Sequence, residues 1–319
     1  MNSKNPLVSI LIPCHNSETW LSETIKSALS QTWDNKEIIL VDDGSTDNSL
    51  KVAKSFESSA IKIISQKNKG ASAARNIALE NAQGDFIQYL DADDLLAADK
   101  ITQQINFLQQ SNSNHNCLAA ASWGRFSKSI AEAQFTLEPV WRDMSSVDWL
   151  VCSWKGGGMM PIHAWLIPRQ ISKKAGLWNE ELSVNDDGEY FCRVMLASEG
   201  IVFCKQSKCY YRSSLPNSLS RTKSSSGLIS ALKSIELCTE YLLAAKNNRS
   251  TRNACADAFQ RFVYSTYPNQ IDLILAAEKK VDWLGGSTLE PSGGKMFQIF
   301  SKVVGWKAAK KLQRLSYSL

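Results

Sequence analysis

The residues best suited to chemistry in this chain are paired carboxylates. Asp91-Ala92-Asp93-Asp94 puts two acids one residue apart, with a third directly after, behind the run Phe86-Ile87-Gln88-Tyr89-Leu90. Oxygen donors spaced in this way suit a hard divalent cation, Mg2+ or Mn2+, which neutralises charge developing on a diphosphate leaving group. Acidic turns of this kind are common, so the motif draws its weight from its place after a buried run. A second pair, Asp42-Asp43, follows Glu37-Ile38-Ile39-Leu40-Val41 and opens the turn Gly44-Ser45-Thr46-Asp47. One reading is an Asx turn capping a helix from Asp47 onward. The other is a carboxylate that accepts the N3–H of a uracil or thymine ring. A phosphatase of the DxDG[ST] type is excluded, because Val41 stands where its nucleophilic aspartate belongs.

These motifs need a scaffold that carries them to one place. Leu7–Ile12 is apolar and β-branched and stops at Pro13, which predicts a buried strand. Leu21, Thr24, Ile25, Ala28 and Leu29 recur at helical spacing, with Ser17 as the expected N-cap. Further strands are predicted at 37–41, 61–64 and 85–90. Helices are predicted at 47–55, at 70–81 and around Ile101, Ile105 and Leu108. Strands alternating with helices imply βαβ units and a largely parallel sheet covered on both faces. In such sheets ligands sit outside the carboxyl ends of the strands. Cys14-His15-Asn16, Asp42-Asp43-Gly44 and Asp91-Ala92-Asp93 each follow a strand, so all three are expected on one edge.

The bulk properties set outer limits. The 319 residues, 44% hydrophobic and 21% charged, allow one large domain with an appendage. The net charge of +5 is too small to indicate nucleic acid. Eight cysteines without a CxxC pair read as reduced, mostly buried thiols, although Cys204 and Cys209 are close enough in sequence to pair. No stretch resembles a signal peptide or a transmembrane helix, so a cytoplasmic location is expected. A dinucleotide-binding GxGxxG and a P-loop are both missing. A sugar-nucleotide pyrophosphorylase would need a glycine-rich, arginine-bearing loop where Pro13-Cys14-His15-Asn16 stands.

Four segments in fixed order carry a family resemblance: Val8-Ser-Ile-Leu-Ile-Pro-Cys-His-Asn16, Val41-Asp-Asp-Gly-Ser-Thr-Asp47, Asn68-Lys-Gly-Ala-Ser-Ala-Ala-Arg-Asn76, and Gly84-Asp85 through Asp94. Together, over roughly residues 6–215, the chain resembles the family 2 glycosyltransferases. The resemblance implies an α/β GT-A fold, Rossmann-like, with a mostly parallel central sheet and helices on both faces. It implies that Pro13, His15 and Glu18 frame a nucleoside pocket, with His15 where tyrosine is more usual. Asp43 would hold the base, and Arg75 would lie near the donor. Asp93 would bind the metal, while Asp91 would meet it directly or through water, or sit on the ribose. Asn185-Asp186-Asp187-Gly188 through Arg193 matches the family's acidic pair and arginine, with Asp186 where glutamate is usual. Asp187 would then be the general base of an inverting transfer. Tyr210-Tyr211-Arg212, with Ser218 and Ser220, resembles a segment closing over the diphosphate, and Arg212 would clamp phosphate oxygens.

The acceptor side rests on less. His163 and Trp165 are candidates to touch an acceptor sugar together with Asp186, and Trp154 and Trp178 could stack on sugar faces. A lone histidine in apolar company is usually a satisfied core residue, and most tryptophans are simply packing. After Arg221 the character changes: helices are predicted at 228–243 and 254–267, a linker at 285–294, and a final stripe over 296–315 that turns from apolar to basic. The expected organisation is a catalytic domain at 1–220 and a helical region at 221–319. The expected function is transfer of a sugar from a UDP- or dTDP-activated donor to a hydroxyl of a polysaccharide or lipid-linked glycan. The basic C-terminus offers a peripheral contact with the inner face of a membrane. The non-enzymatic alternative is an inactive nucleotide-sugar-binding scaffold in a glycan-biosynthesis complex, against which Asp93 and Asp187 stand.

Overall fold

The computed structural model describes residues 5–110, 116–213 and 224–317, so Ser218 and Ser220 lie outside the described residues. Along the chain the strands are β1 (Val8–Cys14), β2 (Lys36–Asp43), β3 (Ile61–Gln66), β4 (Phe86–Tyr89), β5 (Leu95–Leu96), β6 (Cys117–Phe126), β7 (Met144–Ser145), β8 (Trp165–Pro168) and β9 (Gly200–Arg212). The helices are α1 (Leu21–Leu29), α2 (Ser49–Lys54), α3 (Ala71–Asn81), α4 (Lys100–Gln110), α5 (Ser146–Cys152), α6 (Arg169–Ala175) and α7 (Asp186–Leu196). They continue with α8 (Ser225–Ala245), α9 (Arg249–Thr266), α10 (Ile271–Leu284), α11 (Lys295–Val304) and α12 (Trp306–Tyr317).

One mixed sheet runs β3-β2-β1-β4-β8-β6-β9-β5, with β7 on the side of β9. Its first four strands are parallel, as are β6 and β9, and these ladders are the long ones; the antiparallel pairings of β4–β8, β6–β8, β5–β9 and β7–β9 are short. Side chains alternate across the sheet. Ile10 and Ile12 face a core shared with Leu21 and Ile25 of α1 and Ile101 and Ile105 of α4. Leu11, Ile39 and Val41 face the opposite core with Ala74 and Ala78 of α3 and Tyr190 of α7. That second core extends through Leu232 and Leu242 of α8, Phe259 and Phe262 of α9, and Ile274 and Val281 of α10. The C-terminal helices therefore pack onto the same face as α3 and α7.

Several elements differ from expectation for local reasons. β2 continues through Asp42 and Asp43 because these pair with Ser65 and Gln66 of β3. Ser17 does not cap α1: its carbonyl accepts from Trp20 and Leu21 (3.0 and 2.9 Å), and the helix starts at Leu21. The stripe over 296–315 is two helices, broken at Gly305 with a φ of 79°. All eight cysteines are free, so Cys204 and Cys209 are not bridged. Among the described residues no helix is long and apolar enough to cross a membrane.

Candidate active site

The parallel half delivers its motifs to one edge. Cys14 lies level with Asp42 across β1–β2, Leu11 level with Tyr89 across β1–β4, and Leu90 donates to the Leu11 carbonyl (2.9 Å). Pro13 is buried within β1, and the exposed His15 follows at its tip. The ring of His15 donates from Nδ1 to the Asp43 carbonyl (3.0 Å). Glu18 accepts from Asn48 through backbone and side chain, both at 2.8 Å. Asp43 itself is almost fully buried and works as an anchor. Its Oδ1 accepts from Gln66 Nε2 (2.6 Å) and Lys69 N (2.8 Å), and its Oδ2 accepts from Gly70 N (2.9 Å). Gly44 lets this loop close: a Cβ there would stand 2.7 Å from Asn68 N, and its φ is 66°.

The Asp91–Asp94 segment is held by α1 and by the end of β9. Thr24 of α1 donates to the Ala92 and Asp94 carbonyls (2.9 and 3.0 Å). Arg212, at the end of β9, donates from its backbone to Asp94 Oδ1 (2.7 Å), from Nε to the Asp93 carbonyl (2.8 Å) and from Nη2 to Glu23 Oε2 (2.6 Å). Its guanidinium also lies 4.2 and 4.4 Å from the ring centroids of Trp20 and Phe126, and the side chain is buried. Arg212 is thus a brace under the acidic motif rather than a free clamp, because its donors are committed to this neighbourhood.

His163 differs from expectation in the same way. It is fully buried, its Nδ1 is 3.0 Å from Asp94 Oδ2 without the N–H aimed squarely at that oxygen, and its ring stacks parallel to Tyr211. Burial disfavours its charge, but the Asp94 carboxylate outweighs burial and raises the imidazolium well above its usual range. Trp165 is core, packed between Trp149 and Phe191, so neither residue reaches an acceptor. Trp178 is also buried, stacked on Tyr190 at 4.0 Å. Trp154 is the half-buried exception.

One side chain joins the two acidic motifs. Arg75 of α3 donates from Nη2 to Asp91 Oδ1 (2.9 Å) and from Nη1 to Asp186 Oδ2 (2.8 Å). Ser72, one turn earlier, also donates to Asp186 Oδ2 (3.0 Å). The aromatic layer below supports this meeting. Trp178 Nε1 donates to the Tyr89 hydroxyl (2.9 Å), which contacts the Tyr190 hydroxyl (3.1 Å). Tyr89 sits two residues before Asp91 and Tyr190 three after Asp187, so the layer ties the two motifs to each other. Arg193 pairs with Glu189 Oε1 at 2.7 Å within α7 and ties that helix to the end of α6, donating to the Ala175 carbonyl and from Nη2 to the Leu177 carbonyl (2.8 Å).

The loop entering α7 is held by α8, a contact with no forecast in the motifs. Ser230 Oγ accepts from the Ser183 and Val184 amides (2.8 and 3.0 Å) and donates to the Val184 carbonyl (3.0 Å). Ser234 Oγ accepts from Asn185 Nδ2 (2.7 Å) and donates to the Asn185 carbonyl (2.8 Å). Asn185 is left-handed (φ 61°), and a Cβ on Gly188 would meet its Oδ1 at 2.5 Å. Ser226, Ser230 and Ser234, four residues apart along α8, are the signal the sequence offers for this contact.

Charge is unbalanced here. Burial, then Asp94 and Asp91, push Asp93 up to about 7. Burial, then Asp186, push Asp187 up to about 6, with Arg75 pulling the other way. Among the described residues no lysine or arginine forms an ion pair with Asp93. Nor do three or more metal-ligating side chains cluster there.

The model of the family described as "Glycosyl transferase family 2" matches residues 9–168, half of the chain. The chain belongs to glycosyl transferase family 2. An uncharacterised glycosyltransferase of Haemophilus influenzae is 44% identical over 110 residues, 34% of this chain and 44% of that protein. The Escherichia coli UDP-Glc:alpha-D-GlcNAc-diphosphoundecaprenol beta-1,3-glucosyltransferase WfgD is 42% identical over 107 residues, 33% of this chain and 42% of that protein. The chain thus spans less than half the length of these curated relatives. The crystal structure of S. aureus TarS 1-349 superposes with a TM-score of 0.68 at 16% identity, covering 97% of this chain and 91% of that one. The same TarS fragment in complex with UDP-GlcNAc gives a TM-score of 0.62 at 14% identity, covering 97% and 92%. This family member therefore has the GT-A fold of a glycosyltransferase, with a helical C-terminal region.

Proposed function

We propose that the chain transfers a sugar, with inversion, from a UDP- or dTDP-activated donor to a hydroxyl of a polysaccharide or lipid-linked glycan. The observation that carries this reading is Arg75, which joins the Asp91–Asp93 motif to the Asp186–Asp187 pair within one site. The names of the relatives point the same way: WfgD uses UDP-Glc and a diphosphoundecaprenol-linked acceptor, and TarS was crystallised with UDP-GlcNAc.

In this reading Pro13, His15 and Glu18 line the nucleoside side. Asp43 holds the 66–70 loop and keeps one lone pair for the N3–H of the base. Asp93, with Asp91 directly or through water, fits a divalent cation, since a buried carboxylate lifted to about 7 is short of positive charge. Mn2+ or Mg2+ would supply charge neutralisation on the diphosphate, its remaining ligands being water and phosphate oxygens. Arg75 keeps Asp91 and Asp186 fixed. Asp187 takes the proton of the acceptor hydroxyl as that oxygen attacks the anomeric carbon opposite the departing diphosphate. A carboxyl raised to about 6 matches a base working near neutral pH.

In the same reading the reaction takes place at the cytoplasmic face of a membrane. Met296, Ile299, Phe300 and Val303 of α11 are exposed, and after Glu290 the chain has basic residues and no acidic one.

UDP release with and without Mn2+ tests the reading in wild type, Asp93→Ala and Asp187→Asn. Asp93→Ala is expected to lose the metal dependence. Asp187→Asn is expected to keep UDP binding and lose transfer by about 10²–10⁴-fold. Equal turnover in all three sinks the mechanism. Tight UDP binding without turnover on any acceptor would favour the scaffold instead.

A further inference from the structure

We propose that the cavity between the loop before α7 and the C-terminal helices is a binding site for an amphiphile: an aliphatic chain carrying a phosphate or diphosphate. This rests on the transferase reading above and assigns the place where the lipid part of an acceptor would be held. The cavity measures about 730 Å³, within the range of about 300–1,000 Å³ typical of small-molecule sites. Trp154, Ile235, Phe262 and Phe297 contribute apolar walls. Asn185 and Gly188, at the start of α7, line it too, so the cavity borders the turn that carries Asp186 and Asp187 although neither carboxylate lines it.

Charge points to an anionic head. Arg261 lines the cavity half-buried, donating to the Trp154 carbonyl, and among the described residues no carboxylate forms an ion pair with it. Asp257, one turn earlier on α9, accepts instead from Ser287 Oγ (2.5 Å). Lys310 of α12 lines the same cavity and donates to the Tyr264 carbonyl. Among the described residues Glu290 is the one acidic residue in the lining, and it is exposed. A guanidinium in a half-dry site gains most from phosphate oxygens, which it engages in pairs. The ligand has a route from a bilayer, because α11 turns Phe297 into the cavity while Met296, Ile299, Phe300 and Val303 remain exposed.

Calorimetric titration of the full chain with farnesyl diphosphate, kept below its aggregation threshold, tests the site. Pyrophosphate and farnesol serve as the head-only and tail-only probes, with UDP binding followed in parallel. Wild type is expected to bind farnesyl diphosphate at least tenfold tighter than either half. Arg261→Gln is expected to erase the advantage over farnesol. Ala258→Trp, which fills the cavity from its α9 wall, is expected to weaken farnesyl diphosphate and farnesol at least tenfold. UDP binding is expected to stay unchanged in both variants, which shows that they fold. No binding by wild type, undiminished binding by Ala258→Trp or Arg261→Gln, or displacement by UDP overturns the proposal. If binding follows expectation while no isoprenoid-linked sugar is glycosylated, the lipid site stands and the acceptor assigned under the proposed function falls.

Discussion

The donor and base halves of the site proposed above are built by different means. On the donor side the side chains stand at strand ends or in the loops that follow them, and neighbouring segments complete each shell: Asp43 is satisfied by Gln66, Lys69 and Gly70, and Glu18 by Asn48. On the base side Asp187 sits in the first turn of α7, behind a loop that no strand supports. Its position depends on Arg75 through Asp186 and on Ser230 and Ser234 of α8, far along the chain. The donor half is therefore as rigid as the sheet, whereas the base half is as rigid as the packing of the C-terminal helices. Substitutions on the two sides should fail differently.

The largest effect is expected where the halves meet. Arg75→Met leaves the partly buried Asp91 and Asp186 without their cation; breaking a fully buried pair costs about 3–5 kcal/mol, and solvent reaching Asp91 puts the expected loss below that range. Transfer should fall by more than about 100-fold, since both the donor carboxylates and the base lose their position. The pH profile distinguishes this from simple unfolding. Asp187 must be ionised to accept a proton, so wild-type kcat/KM is present above about 6 and is lost as pH falls through that value. Arg75 holds the Asp187 carboxyl down, so its removal should move the inflection upward in the remaining activity. An inflection that does not move would mean that Arg75 is only structural.

The same contrast governs how much of the molecule is legible in its sequence. Donor motifs are legible because strand, turn and acid are contiguous, so Asp91–Asp93 and Asp43 announce both their element and their edge. The family resemblance adds Asp187. What escapes is whatever depends on a distant partner. His163 and Arg212 look like candidate ligand contacts in sequence, yet Asp94 engages both from inside the fold. Trp165 could stack on a sugar although most tryptophans are packing, and the pairing of β8 with β6 decides for core. Ser230 and Ser234 lie in a helix with no motif of its own, and only packing shows which loop they meet.

On the donor side alone, Asp43→Ala strips acceptors from the Lys69 and Gly70 amides and from Gln66. An unsatisfied buried donor costs about 1–3 kcal/mol, so a loss of roughly 2–3 kcal/mol in chemical denaturation is expected. UDP affinity should weaken by about tenfold, equivalent to about 1.4 kcal/mol, with the pH inflection of transfer unmoved. On the base side alone, Ser234→Ala leaves Asn185 Nδ2 and its carbonyl without that partner, for about 1–2 kcal/mol. It should lower kcat several-fold while UDP affinity stays at the wild-type value. If Ser234→Ala weakened UDP binding and spared kcat, the division into two separately supported halves would be wrong.

The smallest effect is expected at Glu23, and it sharpens the role given to Arg212. Their 2.6 Å ion pair looks strong, but the Glu23 side chain is 57% exposed while that of Arg212 is buried. Solvent screens the carboxylate, and exposed pairs of this kind contribute about 0–1 kcal/mol. Arg212 keeps its other holds without Glu23: Asp94 on its backbone, the Asp93 carbonyl on Nε, and the rings of Trp20 and Phe126 against the guanidinium. Glu23→Gln should therefore change the denaturation midpoint little and UDP affinity by less than about twofold. Arg212→Met removes the carbonyl bond and both ring contacts together and should weaken metal-dependent UDP binding. Equal losses from the two substitutions would place the Arg212 guanidinium under the control of Glu23, and with it the acidic motif that Arg212 braces.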